Sequence, residues 1–178
     1  MSITATTPVN IVLGPGNLEV GGIDVGATEG PTLFRVEATR FEPDLNGALA
    51  GVVGTVYNVN EVPYMEVTVD EITAANIQLA LPGISAVSDA SSETISGLTG
   101  PCIAETAHKD VVLTVPICAA DGTSTLNLVV TVKNALAEGN LEMAYQKDGN
   151  TKFKIVFKGY VSSSTPAGPT WTMLKQLA

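Results

Sequence analysis

The chain has 178 residues, of which 45% are hydrophobic and 15% are charged, against roughly 25% charged in an average domain. This length and apolar content suffice for one well-filled core, so we expect a single domain. The net charge of −9 argues against a general nucleic-acid binder, because affinity for DNA depends on Lys and Arg side chains that neutralise phosphates. The low charge density leaves neutral surface that burial against other subunits would explain.

The charge is unevenly distributed along the sequence. Residues 1–108 hold 13 acidic side chains against two arginines, a net −11, whereas residues 109–178 hold five against seven lysines, a net +2. Such subunits can associate head to tail, because a heterologous contact joins different patches and propagates into rings or filaments. Alternatively, the two portions interleave in space and the asymmetry has no consequence.

No targeting segment is evident in the sequence. The first ten residues lack the basic start and apolar run of a secretory signal, and no stretch approaches the ~20 apolar residues that span a bilayer. We therefore expect a soluble cytoplasmic product without a membrane partner.

Two cysteines and one histidine are the candidate zinc ligands of the Cys and His type. Cys102, Cys118 and His108 cannot complete a four-ligand zinc site without distant carboxylates, so no metal site is predicted. The cysteines are expected to be buried free thiols or, in oxidising surroundings, a disulfide. His108, beside Lys109, is expected in a solvated turn.

The dominant period of the sequence is two, which is typical of half-buried antiparallel strands. Residues 32–41 alternate between apolar and polar side chains. Residues 64–72 repeat the pattern, with Met65, Val67 and Val69 predicted to point inward. Further strands are predicted at residues 110–117, 125–133, 141–146 and 152–161.

One short helix interrupts the predicted strands. Thr73 is expected to cap it, Ile77 and Leu81 share a face, and Pro82-Gly83 ends it. The Ser, Thr and Gly-rich residues 85–100 indicate an irregular excursion. The predicted fold is a mainly antiparallel β-sandwich or barrel with one flanking helix, comprising residues 1–161 with an N-terminal arm, followed by a linker and C-terminal arm at 162–178.

Residues 43–63 are too numerous and too apolar for an ordinary connection between strands. If they leave the body as a hairpin, the hairpin would project about 30 Å. Its apolar side chains would be costly to expose, at roughly 25 cal/mol per Å². Alternatively, the segment folds back on its own sandwich as extra strands.

The sequence favours no catalytic function. His108 is the only histidine, and no G-x-S-x-G motif accompanies it. The glycine-rich residues 14–22 lack both the strand-to-helix setting of a dinucleotide site and the ending of a phosphate loop. We predict no catalytic residue and no cofactor.

The order of motifs over residues 13–83 resembles the tail tube proteins, the major tail proteins of long-tailed, siphovirus-type bacteriophages. The motifs are an LGPG turn, the segment VGATEG at Val25 to Gly30, an alternating strand, a long glycine-containing loop, a second alternating strand, and a helix opening with TAANIQLAL. Beyond these residues the similarity is looser and consists of paired strands up to Val161.

The resemblance implies a structural virion protein of tail-tube fold, assembled in the host cytoplasm. Its copies would form stacked hexameric rings, with neighbouring sheets joined into an inner barrel that encloses a tape-measure protein and later conducts DNA without binding it specifically. Tail terminator and baseplate proteins would be further partners. The resemblance places contacts between rings in the 43–63 loop, at Asp44, Leu45, Leu49, Val52, Val53 and Tyr57. It places the N-terminal arm and residues 162–178 on neighbouring subunits, with Trp171, Met173 and Leu174 as contacts.

A conduit for DNA must not hold phosphates, so acidic or neutral side chains are expected along its wall. Glu37, Glu66 and Asp70, on the outward faces of the two alternating strands, are the candidates for positions facing the lumen. Alternatively, these carboxylates are simply solvated on the outside. The rival interpretation of the whole chain is a monomeric acidic β-sandwich that acts as a binding or adhesion module.

Overall fold

The structure is a computed structural model that describes residues 16–43, 56–89, 91–98, 100–118, 125–143 and 151–176. Within these ranges the chain forms ten strands and one α-helix. The strands are β1 (Asn17–Val20), β2 (Ile23–Asp24), β3 (Thr28–Phe41), β4 (Tyr57–Val69), β5 (Ile84–Ser88), β6 (Glu93–Leu98), β7 (Lys109–Cys118), β8 (Thr125–Ala137), β9 (Phe153–Lys158) and β10 (Trp171–Lys175), and the helix is α1 (Ala74–Ala80).

Eight strands form one antiparallel sheet in the order β2-β1-β7-β8-β9-β4-β3, with β10 added to β8. The sheet has two halves, because the first part of β8 pairs with β7 and β10 whereas its end pairs with β9. We call β2, β1, β7, β8 and β10 the β7 half, and β9, β4 and β3 the β4 half. The predicted fold class, mainly antiparallel β with one short helix, is confirmed, and the open sheet fits a sandwich rather than a closed barrel.

One hydrophobic core joins the two halves and the helix. The predicted inward residues of β4, Met65, Val67 and Val69, are at most 2% exposed. Because alternate side chains of a strand point to opposite faces, each half contributes one face to this core. The other main contributors are Leu18, Val20, Ile77, Val111, Leu113, Val130, Val132, Phe153, Ile155 and Phe157.

Helix α1 begins and ends as the sequence predicts. The Thr73 hydroxyl accepts the backbone N–H of Asn76 at 3.1 Å, and Gly83, with a φ of +92°, follows the last turn. The buried Asn76 amide donates to the carbonyls of Val25 and Glu71, each at 3.0 Å. These bonds fix the helix against the chain that enters β3 and the chain that leaves β4.

Two glycines explain the local geometry of the VGATEG segment. Gly26 and Gly30 have φ values of +85° and +72°, a region that other residues rarely adopt. At Gly30-Pro31 the pairing register between β3 and β4 shifts, because three residues of β3 lie opposite the single residue Val67 of β4. Pro31 is tolerated there because β3 is an edge strand, where a missing N–H breaks no ladder bond.

The prediction of an irregular segment at residues 85–100 is wrong, because β5 and β6 pair there as a separate hairpin. Apart from the buried Ile84, most of its described residues are exposed or half-buried, so Ser and Thr stand where a half-buried strand would carry alternating apolar side chains. The Asp89 carboxylate closes the turn by accepting the N–H groups of Ser91 and Ser92, and these bonds lower the pKa of Asp89 to about 2. Glu93 ties the hairpin to the N–H of Ala74.

The C-terminal segment also departs from expectation. The sequence predicts that residues 171–175 leave the body as an arm, but they pair with β8 of the same chain as β10. Of the strand predicted at 141–146, residues 141–143 are irregular and the rest lie outside the described residues. The strand predicted at 152–161 is present but ends at Lys158.

Candidate assembly interface

A two-stranded extension of the β4 half is the first candidate contact surface. β3 and β4 continue to pair beyond the core, ending with Arg40 opposite Asn58 and Phe41 opposite Tyr57. Residues 38–41 and 57–61, which we call the ribbon, are all exposed. The predicted loop is therefore shorter than 43–63, because residues 57–63 belong to β4.

The ribbon presents apolar side chains to its surroundings. Phe41, Tyr57 and Val59 are 56%, 60% and 66% exposed. Phe41 and Tyr57 are direct cross-strand partners and share one face, whereas Val59 is the extra residue of a bulge opposite Thr39 and Arg40. Tyr57 is thus a strand residue near the ribbon's end. The other predicted loop contacts, Asp44, Leu45, Leu49, Val52 and Val53, lie outside the described residues.

The outer face of the β4 half is the second candidate surface, and it brings Glu37 and Glu66 together. Arg35 lies between them, at 3.2 Å from the Glu37 carboxylate and 3.6 Å from that of Glu66, and its guanidinium stacks 4.6 Å above the Tyr64 ring. Lys154 also pairs with Glu66. The hydrogen bond from Lys154 is the main cause that lowers the pKa of Glu66, against the opposing effect of burial.

This face is mixed in charge rather than acidic. By register it carries the carboxylates of Glu29, Glu37 and Glu66, and Lys152 pairs with Glu29. Its basic side chains are Arg35, Lys152, Lys154 and Lys158. The sequence analysis missed the lysines because β9 lies far along the chain from β3 and β4. The lysines of KFKIVFK lie two and four residues apart, which places them on the strand face opposite the buried Phe and Ile. This alternation was the signal in the sequence for a basic outer face.

Asp70 is not part of this ion-pair network. It follows the last residue of β4, where its N–H donates to the Ala27 carbonyl at 3.0 Å. Its side chain is half-buried, and its Oδ1 is buried without a hydrogen-bond partner among the described residues. The structure therefore separates Asp70 from Glu37 and Glu66 along the strand.

The outer face of the β7 half is the third candidate surface, and it is uncharged away from the start of β7. Its charged side chains are Glu19, Asp24, Asp110 and Lys133, which the register places near the start of β7. The remaining residues that alternate with the buried positions of β7, β8 and β10 are polar-neutral or aliphatic. They are Val112, Thr114, Pro116, Asn127, Val129, Thr131, Thr172 and Leu174. Leu174 is exposed, whereas most of the others are half-buried.

Strand β10 also packs against the base of the ribbon. Trp171 packs on Phe34 with ring centroids 5.4 Å apart, and its indole N–H donates to the Glu61 carboxylate. Trp171 is therefore occupied within its own chain, whereas Met173 and Leu174 remain more than half exposed.

Two further expectations need correction. His108 is half-buried rather than solvated, with its ring edge-on to Tyr160 at 5.3 Å. Cys102 is an exposed free thiol rather than a buried one. Among the described residues no group of three His, Cys, Asp or Glu side chains is placed to bind a metal ion. The same part of the chain contains no helix with the length and apolarity needed to cross a bilayer.

Comparisons with known proteins add little to this geometry. No protein-family model matches the chain, and no curated protein matches it. Among the solved structures, the chain is similar to one in the "Cryo-EM structure of the anti-feeding prophage cap (AFP tube terminating cap)". The TM-score is 0.47 at 12% identity, over 99% of this chain and 100% of that chain. At these values we draw no conclusion about function from the likeness.

Proposed function

We propose that this chain is a structural subunit of a bacteriophage tail tube, and that its copies assemble into stacked rings that conduct DNA. The order of motifs over residues 13–83 supports the proposal. So do the open antiparallel sheet with its flanking helix and the scarcity of charged residues. The sixfold ring, the siphovirus-type tail and the location in the virion follow from the family resemblance.

The ribbon is the observation that carries the proposal. It holds Phe41, Tyr57 and Val59 away from the core. Each Å² of their apolar surface left in water costs roughly 25 cal/mol of free energy relative to burial. β3 adds an edge without a partner strand in the described part of the chain, and such edges pair with other chains. A second copy that covers both features removes both costs.

The remaining roles belong to the same proposal. The outer face of the β4 half, with Glu37 and Glu66, would line the lumen, where each glutamate neutralises a basic neighbour and weakens its hold on phosphate. Residues 44–56 and the ribbon would contact the next ring. The segment 162–178 would contribute Met173 and Leu174 to contacts between subunits. Tape-measure, terminator and baseplate proteins would be partners at the lumen and the tube ends.

Negative-stain microscopy and sedimentation velocity of the purified protein test the proposal. We expect rings or tubes that grow with concentration. The double variant Phe41→Ser with Tyr57→Ser should remain folded and lose this assembly. Val87→Ser, which removes an equally exposed apolar side chain from the β5–β6 hairpin, serves as the matched control and should assemble normally.

A concentration-independent monomer that binds a glycan would contradict the tail proposal and favour a binding module. The lumen assignment has a separate test in the double variant Glu66→Lys with Asp70→Lys, which should assemble but slow DNA release. Unchanged DNA release from such tubes would remove these residues from the lumen.

A further inference from the structure

The ribbon lacks the third strand that supports the rest of β4. β9 pairs with β4 over Tyr64–Val69, so within the described part of the chain the ribbon consists of β3 and β4 alone. An isolated pair of strands is at best marginally stable in water. The direction in which the ribbon leaves the body therefore depends on contacts at its base.

Trp171 makes two such contacts. Its ring packs on Phe34 of β3, which lies opposite Met65 in the part of the ladder that covers the core. Its indole N–H donates to the carboxylate of Glu61. Glu61 pairs with Ala38, so this hydrogen bond reaches the first cross-strand pair of the ribbon. Trp171 thus bridges the step from the buried part of the ladder to the exposed part.

The backbone on both sides of Trp171 is held in place. Trp171 is the first residue of β10, which pairs with β8 over five residues. The Lys133 N–H donates to the Thr170 carbonyl at 2.8 Å, just before Trp171. At the other end of β10, the Asn127 N–H donates to the Gln176 side chain at 2.8 Å. A side chain anchored in this way can hold the ribbon at a fixed angle to the β7 half.

The angle matters because the exposed aromatic side chains lie beyond the support. Tyr57 is four residues from Glu61 along β4, about 13 Å at ~3.3 Å per residue. A rotation of about 20° at Glu61 would move the Tyr57 ring by about 4–5 Å over that length. The core of a protein interface is packed as densely as a protein interior and does not tolerate such a displacement.

We propose that Trp171 is a positioning residue for assembly, which holds the ribbon at the angle that contact with the next subunit requires. This inference rests on the proposed function and changes the role of Trp171 from a contact residue to one that acts through the ribbon. Its bonds also join two contact segments of that proposal, because Met173 and Leu174 follow Trp171 in the same strand. Displacement of β10 would therefore release the ribbon as well.

Distances between two spin labels test the positioning role on the monomer, without assembly. A label at Asn58→Cys reports the ribbon and one at Glu138→Cys reports the body, in the full-length chain with Cys102 and Cys118 replaced by alanine. Both label positions are exposed. The chain with Trp171 should give one narrow distance distribution, and Trp171→Ala should broaden it at least twofold.

Conservative variants separate positioning from general stability. Glu61→Gln keeps an oxygen acceptor for the indole and should leave the distance distribution narrow, whereas Glu61→Leu should broaden it. Trp171→Phe keeps the packing on Phe34 but lacks the N–H, so we expect an intermediate width. Because position 61 is exposed, a loss of stability alone would not separate Gln from Leu.

The effect on assembly is measured by sedimentation velocity. Trp171→Ala and Glu61→Leu should each need at least tenfold more protein to assemble than the wild type, although Phe41 and Tyr57 are unchanged. Glu61→Gln should assemble like the wild type. Ile155→Val shortens a buried side chain away from the ribbon, and as the control for lost stability it should assemble normally.

The possible failures are distinguishable. A distance distribution of Trp171→Ala as narrow as that of the wild type, or a broad one in the wild type, overturns the positioning role and leaves the proposed function standing. Normal assembly of Trp171→Ala despite a broadened distribution overturns the role in assembly alone. A wild-type chain that stays monomeric up to about 1 mM overturns the proposed function, and with it any role of Trp171 in assembly.

Discussion

The two halves of the sheet are built by the same alternation but present different outer faces. The β4 half carries seven charged side chains on its outer face, six of them paired within the chain, as in the Glu37–Arg35–Glu66–Lys154 network. The corresponding face of the β7 half carries Glu19, Asp24, Asp110 and Lys133 near the start of β7, and its remaining side chains are neutral. Period two therefore fixes which residues enter the core and leaves the use of the outer face undetermined. A charged, internally neutralised face suits water and mobile DNA, whereas a neutral face suits contact with protein.

The largest expected effect comes from the core that the halves share. Phe157→Ala should lower the free energy of unfolding by about 3–5 kcal/mol, because it opens a cavity between β9, β8 and α1. Thermal unfolding should remain a single transition if both halves depend on one core. Two separate transitions would show that the halves fold independently.

The next largest effect is expected where the halves meet. A Cβ at Gly159 would lie 2.6 Å from Cγ of Pro63 in β4 and 2.8 Å from Cγ1 of Val132 in β8. Gly159→Ala should therefore cost about 1–3 kcal/mol through overpacking, measured by urea denaturation. Gly97→Ala, where no atom lies within 4 Å of the added Cβ, is the control and should be close to neutral. Equal stability of the two variants would contradict the close approach of β4 and β8.

The ion pairs of the β4 half should contribute less. Glu66→Gln removes the partner of Lys154 and Arg35 and should cost at most about 1 kcal/mol, with a smaller loss for Glu37→Gln. Because folding lowers the pKa of Glu66 below its ordinary value of 4.5, its contribution is present above that pH and is lost as the pH falls through the folded value. Stability measured from pH 7 to pH 2 should thus fall less steeply for Glu66→Gln than for the wild type. Parallel curves would show that the network is not formed in solution.

The smallest effect on folding is expected on the outer face of the β7 half. Thr114→Lys should change the free energy of unfolding by no more than about 0.5 kcal/mol, since the position lies outside the core. If this neutral face is covered by another subunit, the added charge should nevertheless reduce assembly in sedimentation experiments. Undiminished assembly would show that the face stays in water.

The helix, its Thr73 cap and most long strands could be predicted because each depends on local spacing and capping chemistry. The hairpin at Ile84–Ser88 and Glu93–Leu98 could not, because most of its described residues are exposed and carry no alternation. The sequence places Trp171 in an arm, because its partners Phe34 and Glu61 lie more than 100 residues earlier in the chain and no local pattern indicates them. Of the candidate site, the sequence indicates the apolar excess near Tyr57, but it does not indicate the mixed charge of the β4 half, because the lysines of β9 lie far along the chain from Glu29 and Glu66.

The sequence by itself determined the antiparallel β class, the inward faces of β4 and β9, and the glycines that β3 requires, because periodicity and backbone sterics act over a few residues. Only the tertiary structure decided that the lysines of β9 neutralise Glu29 and Glu66, and that β10 completes its own sheet. It also decided that β3 and β4 keep pairing beyond the core as the ribbon. These features depend on which distant strands pair and in what register, and that choice is made by burial of the whole core rather than by any single segment.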